Sequence, residues 1–241
     1  MIGPTLTAPS WKAPWERAID RRRALVRWGL VLAGFVIFTL LDHRLAAFAA
    51  VRDEAWLEGR GWYQVLRQWG YAPTWILLGF ILGFHERWLR QRRPGVIAAR
   101  PAHQPDRTLL VILAPILAGA AAELLKLVFA RERPDLLEHP TSYVWRGVFA
   151  GFADGSNLGL PSSHAAVAFA GSLALARVLP GAAWLLLLGA LGCGISRMLA
   201  AAHYASDVYL AAVVAWLVVA GLGRALPREA PFRRSYSQHL R

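Results

Sequence analysis

Three polar clusters interrupt an otherwise apolar chain. Lys126 is followed, after six residues, by Arg133-Pro134. Pro161-Ser162-Ser163-His164 form the second cluster. Ser196-Arg197, then His203 and Asp207, form the third, in the stretch SRMLAAAHYASD. Placing charge among apolar spans is costly, so polar groups at such depth usually act. His203 and Asp207 are four apart, a spacing that stacks them on one helical face. A carboxylate beside an imidazole holds one ring nitrogen and leaves the other free to react. A helix N-cap beside a satisfied histidine is the plainer alternative, and these four residues do not separate the two.

The rest of the set suits a phosphate. A phosphomonoester dianion needs positive charge and donors around its non-bridging oxygens. Arginine supplies a planar fork and lysine a compact charge; Lys126, Arg133 and Arg197 offer both. Ser162 and Ser163 add hydroxyls, and a helix starting near Ser163 would turn its free N–H groups toward the anion. Snorkelling to the membrane interface is the ordinary role of each basic residue taken singly.

In order and spacing, K-x6-RP, PSSH and SR-x5-H-x3-D resemble the signature of the type 2 phosphatidic acid phosphatase (PAP2) superfamily, in its bacterial membrane lipid phosphatase branch. The usual second motif is PSGH, so Ser163 stands where glycine is common. Serine narrows the backbone conformations open at that position and adds a hydroxyl. The resemblance covers Lys126 to Asp207. It implies that His203 attacks phosphorus to give a phosphohistidine and that Asp207 orients it. His164 then protonates the leaving oxygen and afterwards activates water. Lys126, Arg133, Ser162, Ser163 and Arg197 bind the phosphate. No metal or other cofactor is expected, because the cations take the electrostatic role of a divalent ion.

Composition supports a membrane setting. The chain has 241 residues, 56% of them hydrophobic, with 11 tryptophans and a formal net charge of +12. Nearly all that positive charge is arginine, since Lys12 and Lys126 are the only lysines. The arginines flank apolar runs instead of forming one basic domain, which argues against a nucleic-acid partner. Cys193, the single cysteine, reads as packing and forms no internal disulfide. No cleavable leader is expected: the first apolar run begins near Ala24 and is followed by no small-residue cleavage site.

Six apolar runs read as spans: Leu25–Leu41, Trp69–Phe84, Thr108–Ala130, His164–Leu179, Trp184–Ala202 and Asp207–Leu222. Pro73 falls in a first turn, Pro115 invites a kink, and Glu123 can pair with Lys126. Gly189, Gly192 and Gly194 permit close helix approach. Residues 42–68 read as a mixed-charge connection, and 131–163 as a long loop whose Tyr143, Trp145 and Arg146 either shape an entrance or cover helix ends. Residues other than His164 and His203 account for five histidines (His43, His85, His103, His139 and His239), which read as solvated.

The expected fold is all-α, a six-helix membrane bundle of the PAP2 type over residues 24–222. Residues 1–23 are expected to form an N-terminal segment, either a short interfacial helix with Trp15 and Ile19 on one face or a loose polar tail; residues 223–241 form a basic tail. Arginines concentrate before the first span, after the second and in the tail, so those sides are cytoplasmic by the positive-inside rule. All three motifs then fall on the opposite face, the periplasmic face of a bacterial inner membrane.

The expected activity is metal-independent hydrolysis of a lipid phosphate or diphosphate. Phosphatidylglycerol phosphate, phosphatidic acid, undecaprenyl pyrophosphate and lipid A 1-phosphate are the substrates the resemblance implies. Membrane lipids are the expected partners. A phosphotransferase using the same intermediate is the closest alternative, and a vanadate-dependent haloperoxidase shares the anion pocket. A transporter or scaffold is the non-enzymatic alternative.

Overall fold

The computed structural model describes residues 14–51, 53–92 and 106–226; side chains are described from Asp20 onward, apart from Glu54 and Arg90. Trp11, Trp15, Ile19, His103 and His239 therefore lie outside the described side chains, as does most of the basic tail. Every regular element among the described residues is helical: α1 (Pro14–Ala49), α2 (Glu54–Glu58), α3 (Gly61–Gln68), α4 (Ala72–Arg92), α5 (Arg107–Phe129), α6 (Ser163–Val178), α7 (Ala183–Leu199) and α8 (Ala205–Ala225).

Helix α6 is the centre. It packs against α5, α7 and α8, while α4 lies on α5, α1 on α8 and α3 on α7. Its sequence, SHAAVAFAGSLALARV, is small and apolar almost all round, the pattern of a helix enclosed by others. Small side chains let neighbouring helices approach closely. Gly171 shows how tightly: a Cβ there would lie 2.1 Å from the indole of Trp75. That indole is buried and donates to the Trp69 carbonyl at 2.8 Å. Trp69 in turn donates to Ser172 Oγ at 3.0 Å, and Ser172 to the Leu186 carbonyl at 2.9 Å, so the polar atoms of this packed layer are satisfied.

Four of the described helices are long and apolar enough to cross a membrane: residues 20–49 of α1, then α5, residues 180–199 including α7, and α8. Two of the six expected spans do not reach that standard. Helix α6 is apolar but has 16 residues, about 24 Å at 1.5 Å per residue. Helix α4 is 21 residues long, but its second half carries His85, Glu86, Arg87, Arg90 and Arg92. The expected span stopped at Phe84; helix-favouring residues beyond it extend α4 to Arg92. Pro73 does sit in the first turn, and Pro115 lies inside a continuous α5.

The connection expected over residues 42–68 is largely helical. Helix α1 runs on to Ala49, and α2 and α3 follow. Asp53 caps α2 by accepting the Trp56 N–H at 2.8 Å, and Glu58 pairs with Arg67 at 3.0 Å. The alternating charges of this stretch are thus local helix-forming partners. Helix α1 is also uninterrupted through residues 23 and 24, where an N-terminal segment was expected to end.

The ends of these helices converge. The Val51 N–H donates to the Leu199 carbonyl at 2.8 Å, Lys126 of α5 reaches Ser163 of α6, and Ser162 N–H donates to the Asp207 carbonyl at 3.2 Å. The last residues of α1, α5 and α7 therefore meet the first residues of α6 and α8 at one end of the bundle.

Candidate active site

The first cluster hangs on the end of α5. Lys126, in its last turn, is buried and donates to both Glu123 Oε1 and Ser163 Oγ at 2.9 Å. The expected Glu123–Lys126 pair is present. Ala130 then adopts a left-handed conformation, φ 48°, and its N–H closes on the Lys126 carbonyl. This sharp cap turns Arg131 into the protein. Arg133 remains exposed, its Nε 3.4 Å from the Leu158 carbonyl.

The second cluster starts α6. Ser162 is fully buried and is the N-cap; its Oγ accepts the Ala165 N–H at 3.4 Å. Ser163 and His164 occupy the first helical turn, where backbone N–H groups lack intrahelical partners. The Ser163 hydroxyl is directed at Lys126, so the residue that replaces glycine adds an oxygen to the cation's shell. No described residue hydrogen-bonds the ring of the half-buried His164.

The third cluster spans the α7–α8 junction. Arg197 reaches Tyr63 of α3, Nη1 to the hydroxyl oxygen at 3.4 Å, and its buried Nε has no partner among the described residues. Ser196 donates back to the Cys193 carbonyl at 2.7 Å and is a satisfied helix residue. His203 is 2% exposed. Its Nδ1 lies 2.9 Å from the Gly159 carbonyl and 3.5 Å from Asp207 Oδ2. A carbonyl oxygen only accepts, so Nδ1 carries the proton and Nε2 of the neutral ring keeps its lone pair. Gly159 suits this place because a Cβ there would come within 3.2 Å of Asp207 Oδ2 and of the Glu132 carbonyl. Burial pushes the His203 pKa below its ordinary value, against the opposing pull of Asp207. The ring is thereby held neutral.

Asp207 is also a helix-start residue. Its Oδ2 accepts the Tyr204 N–H at 2.8 Å, while Oδ1 accepts from Arg131. The capping role and the place beside His203 thus coexist in one carboxylate.

Two residues behind the site were not expected there. Arg131, inside the K-x6-RP spacing, and Asp42, in the supposed connection, are both buried. Arg131 donates to Asp207 and to Ser206 Oγ at 2.7 Å. Its guanidinium carbon lies 4.9 Å from the centroid of Tyr143, 5.6 Å from Trp145 and 5.2 Å from Tyr204. His43, expected to be solvated, packs into this aromatic group at 4.5 Å from Tyr143 and 5.3 Å from Tyr204. The sequence signal for both buried charges was their place at the very end of an apolar run.

The long loop is braced internally and against α1. The Tyr143 hydroxyl donates to the Thr39 carbonyl at 2.7 Å, and its oxygen lies 2.9 Å from Asp42 Oδ2. Arg146 pairs with Glu132 at 2.7 Å and Asp154 at 2.9 Å. Tyr143 and Arg146 therefore hold the loop in place. Beside it lies a cavity of about 700 Å³, lined in part by Ala47, Val51, Pro134, Leu137 and Ala201.

The sequence pattern of a protein family described as the PAP2 superfamily matches residues 107–230. The chain belongs to the PAP2 superfamily. No curated protein and no solved structure matches it. The PAP2 match begins at α5, so α1 to α4, and Asp42 with them, precede it. Among the described residues, no group of three or more His, Cys, Asp or Glu side chains is placed to hold a metal ion.

Proposed function

We propose that this PAP2 protein is a membrane phosphatase that hydrolyses an amphiphilic phosphate through a phosphohistidine on His203. The observation that carries the reading is the setting of His203: Nδ1 is bonded to the Gly159 carbonyl at 2.9 Å with Asp207 Oδ2 3.5 Å away, so the free nitrogen is Nε2. Nε2 forms a bond to phosphorus as the bond to the leaving oxygen breaks. His164 gives that oxygen its proton, then removes one from the water that cleaves the P–N bond and releases inorganic phosphate. Lys126, Arg133, Arg197, Ser163 and the free N–H groups at the start of α6 surround the phosphoryl oxygens; Ser162 holds that helix start in place.

The protein is read as crossing the bacterial inner membrane six times, with α6 and the apolar first half of α4 as the two short crossings. Tilt, local thinning and flanking residues accommodate a short apolar helix. The three motif clusters then face the periplasm. Cysteines introduced at positions 95–100 should resist an impermeant maleimide in intact cells and react after permeabilisation. Ready labelling in intact cells would reverse the orientation.

The cavity beside Pro134 receives the non-reacting part of the substrate in this reading; Leu137, which lines it, and Val148, Phe149 and Phe152 elsewhere in the long loop are exposed and suit a membrane interface. Phosphatidylglycerol phosphate, phosphatidic acid, an isoprenyl diphosphate and a lipid A 1-phosphate all fit this description. The test is release of inorganic phosphate by detergent-purified protein from a panel of these lipids, with and without chelator. Turnover unaffected by chelator is expected. Turnover of none of the lipids would remove the phosphatase reading, and transfer to an added lipid alcohol in place of water would favour the phosphotransferase.

Glu123 bears on affinity. Its side chain is 60% exposed and shares Lys126 with Ser163. An arriving phosphate competes with this carboxylate for the ammonium and is repelled by it. Glu123→Gln should lower KM roughly two- to fivefold at low ionic strength, with less effect in high salt. A raised KM would instead make Glu123 the group that holds Lys126 in position.

A further inference from the structure

Arg131 is shared by two buried carboxylates. It donates to Asp207 Oδ1, and its Nη1 lies 3.7 Å from Asp42 Oδ2. Asp42 also accepts the Ser206 N–H at 2.8 Å and the Ser206 hydroxyl, and the Tyr143 hydroxyl oxygen lies 2.9 Å from it. The N–H and hydroxyl of Ser206 thus donate to Asp42 from α8, and the Arg131 guanidinium faces it as its one cationic neighbour among the described residues. Hydrogen-bond donors and a cation are the partners that a carboxylate anion takes.

The charge count gives this arrangement a consequence. Arg131 and Asp207 alone would form a neutral pair, and the guanidinium would cancel most of the field that the carboxylate exerts on His203. A second carboxylate restores one net negative charge. We propose that Asp42, contributed by α1 from outside the PAP2-matched segment, offsets Arg131 and so leaves Asp207 an effective anionic partner for His203. Asp42 is a positioning residue: it has no contact with the imidazole and acts through Arg131 and Ser206. Its consequence for turnover rests on His203 being the nucleophile; its effect on the imidazole does not.

The other ionisable groups facing His203 are Lys126 and Glu123 of α5, His164 of α6 and Arg197 of α7. Asp42 is faced by Arg131, Tyr143 and Tyr204, with His43 beside those rings. All of these except Arg131 stay unchanged in the variants below. Removing a nearby positive charge favours imidazolium, and removing a nearby negative charge disfavours it. The two substitutions therefore pull His203 in opposite directions.

The test is an NMR titration of full-length protein in detergent, labelled with ¹³C on its histidine rings. The His203 signal is assigned by its loss in His203→Gln. Arg131→Gln should raise the His203 midpoint by on the order of one pH unit, and Asp42→Asn should lower it. The double variant should return close to wild type. A purely structural tie would move both single variants the same way and make the double worse; that result, or no movement in either, overturns the proposal. If Asp42→Asn does not fold, Arg131→Lys against Arg131→Gln decides. The lysine variant should keep the wild-type midpoint and the glutamine variant raise it; equal midpoints overturn the proposal. Trapping of a phosphoenzyme in the wild type tests the nucleophile separately. Opposed shifts without any adduct would count against the catalytic reading and leave the electrostatic role standing.

Discussion

His203→Ala should abolish turnover and the covalent adduct together. The expected fall in kcat is at least about a thousandfold, because loss of a nucleophile leaves only binding and charge stabilisation to act on the substrate. Brief reaction with ³²P-labelled lipid phosphate followed by an alkaline quench preserves a phosphohistidine. The wild type should carry label and the variant none; full labelling of His203→Ala would move the nucleophile to another residue. The pH dependence supplies a second measure. Nε2 attacks only while the ring is neutral, and burial holds the His203 pKa below its ordinary 6.5. The neutral form therefore persists as pH falls through 6.5, and activity is lost only when pH falls through the lower folded value. The acid limb of kcat/KM, with the substrate's own ionisation factored out, should lie below 6.5. A limb well above 6.5 would mean that the imidazole is stabilised as a cation, contrary to its burial.

The motif spacing was a good guide to what comes together, and a poor guide to what holds it there. Lys126 and Ser163 are 37 residues apart in the chain yet bonded, and His203 lies 3.5 Å from Asp207, although it does so from the turn ahead of α8 and not from the shared helical face that their spacing of four suggested. Those pairings follow from short-range geometry and from charge that must find a partner. The Gly159 carbonyl as the nearer partner of Nδ1 was not legible, because a backbone oxygen has no sequence signature. Asp42 was misread for a related reason. A charged residue at the end of an apolar run looks the same whether the helix stops and meets water or continues and meets a buried arginine. Only the Ser206 and Tyr143 contacts, more than 100 residues away, distinguish the two. The helices α2 and α3 were hidden by their mixed charges, which pair locally instead of marking a loop. Ser163 was read as a departure that narrows the backbone; in the structure it accepts from Lys126, a contact glycine could not make.

His164→Ala should have an effect that depends on the leaving group. The residue lies in the first turn of α6, half-buried, with no described group bonded to its ring, so the imidazole is available to the reacting atoms. Its proposed first task is to protonate the departing oxygen. A lipid alkoxide is a poor leaving group and needs that proton; general acid catalysis of this kind contributes roughly 10²- to 10⁴-fold. A nitrophenolate leaves without it. Turnover of a lipid monophosphate should therefore fall by that range in His164→Ala, while the first step with p-nitrophenyl phosphate should fall much less. The second task, activation of water, is the same for both substrates because the leaving group has already gone. With the aryl phosphate, the variant should thus form the phosphohistidine and fail to clear it, giving a burst of nitrophenolate of about one equivalent followed by a slow steady state. The burst amplitude and the alkaline-stable label should rise together. Equal losses on both substrates, with no burst and no trapped adduct, would show that His164 serves the start of α6 or the shape of the anion site instead of carrying protons.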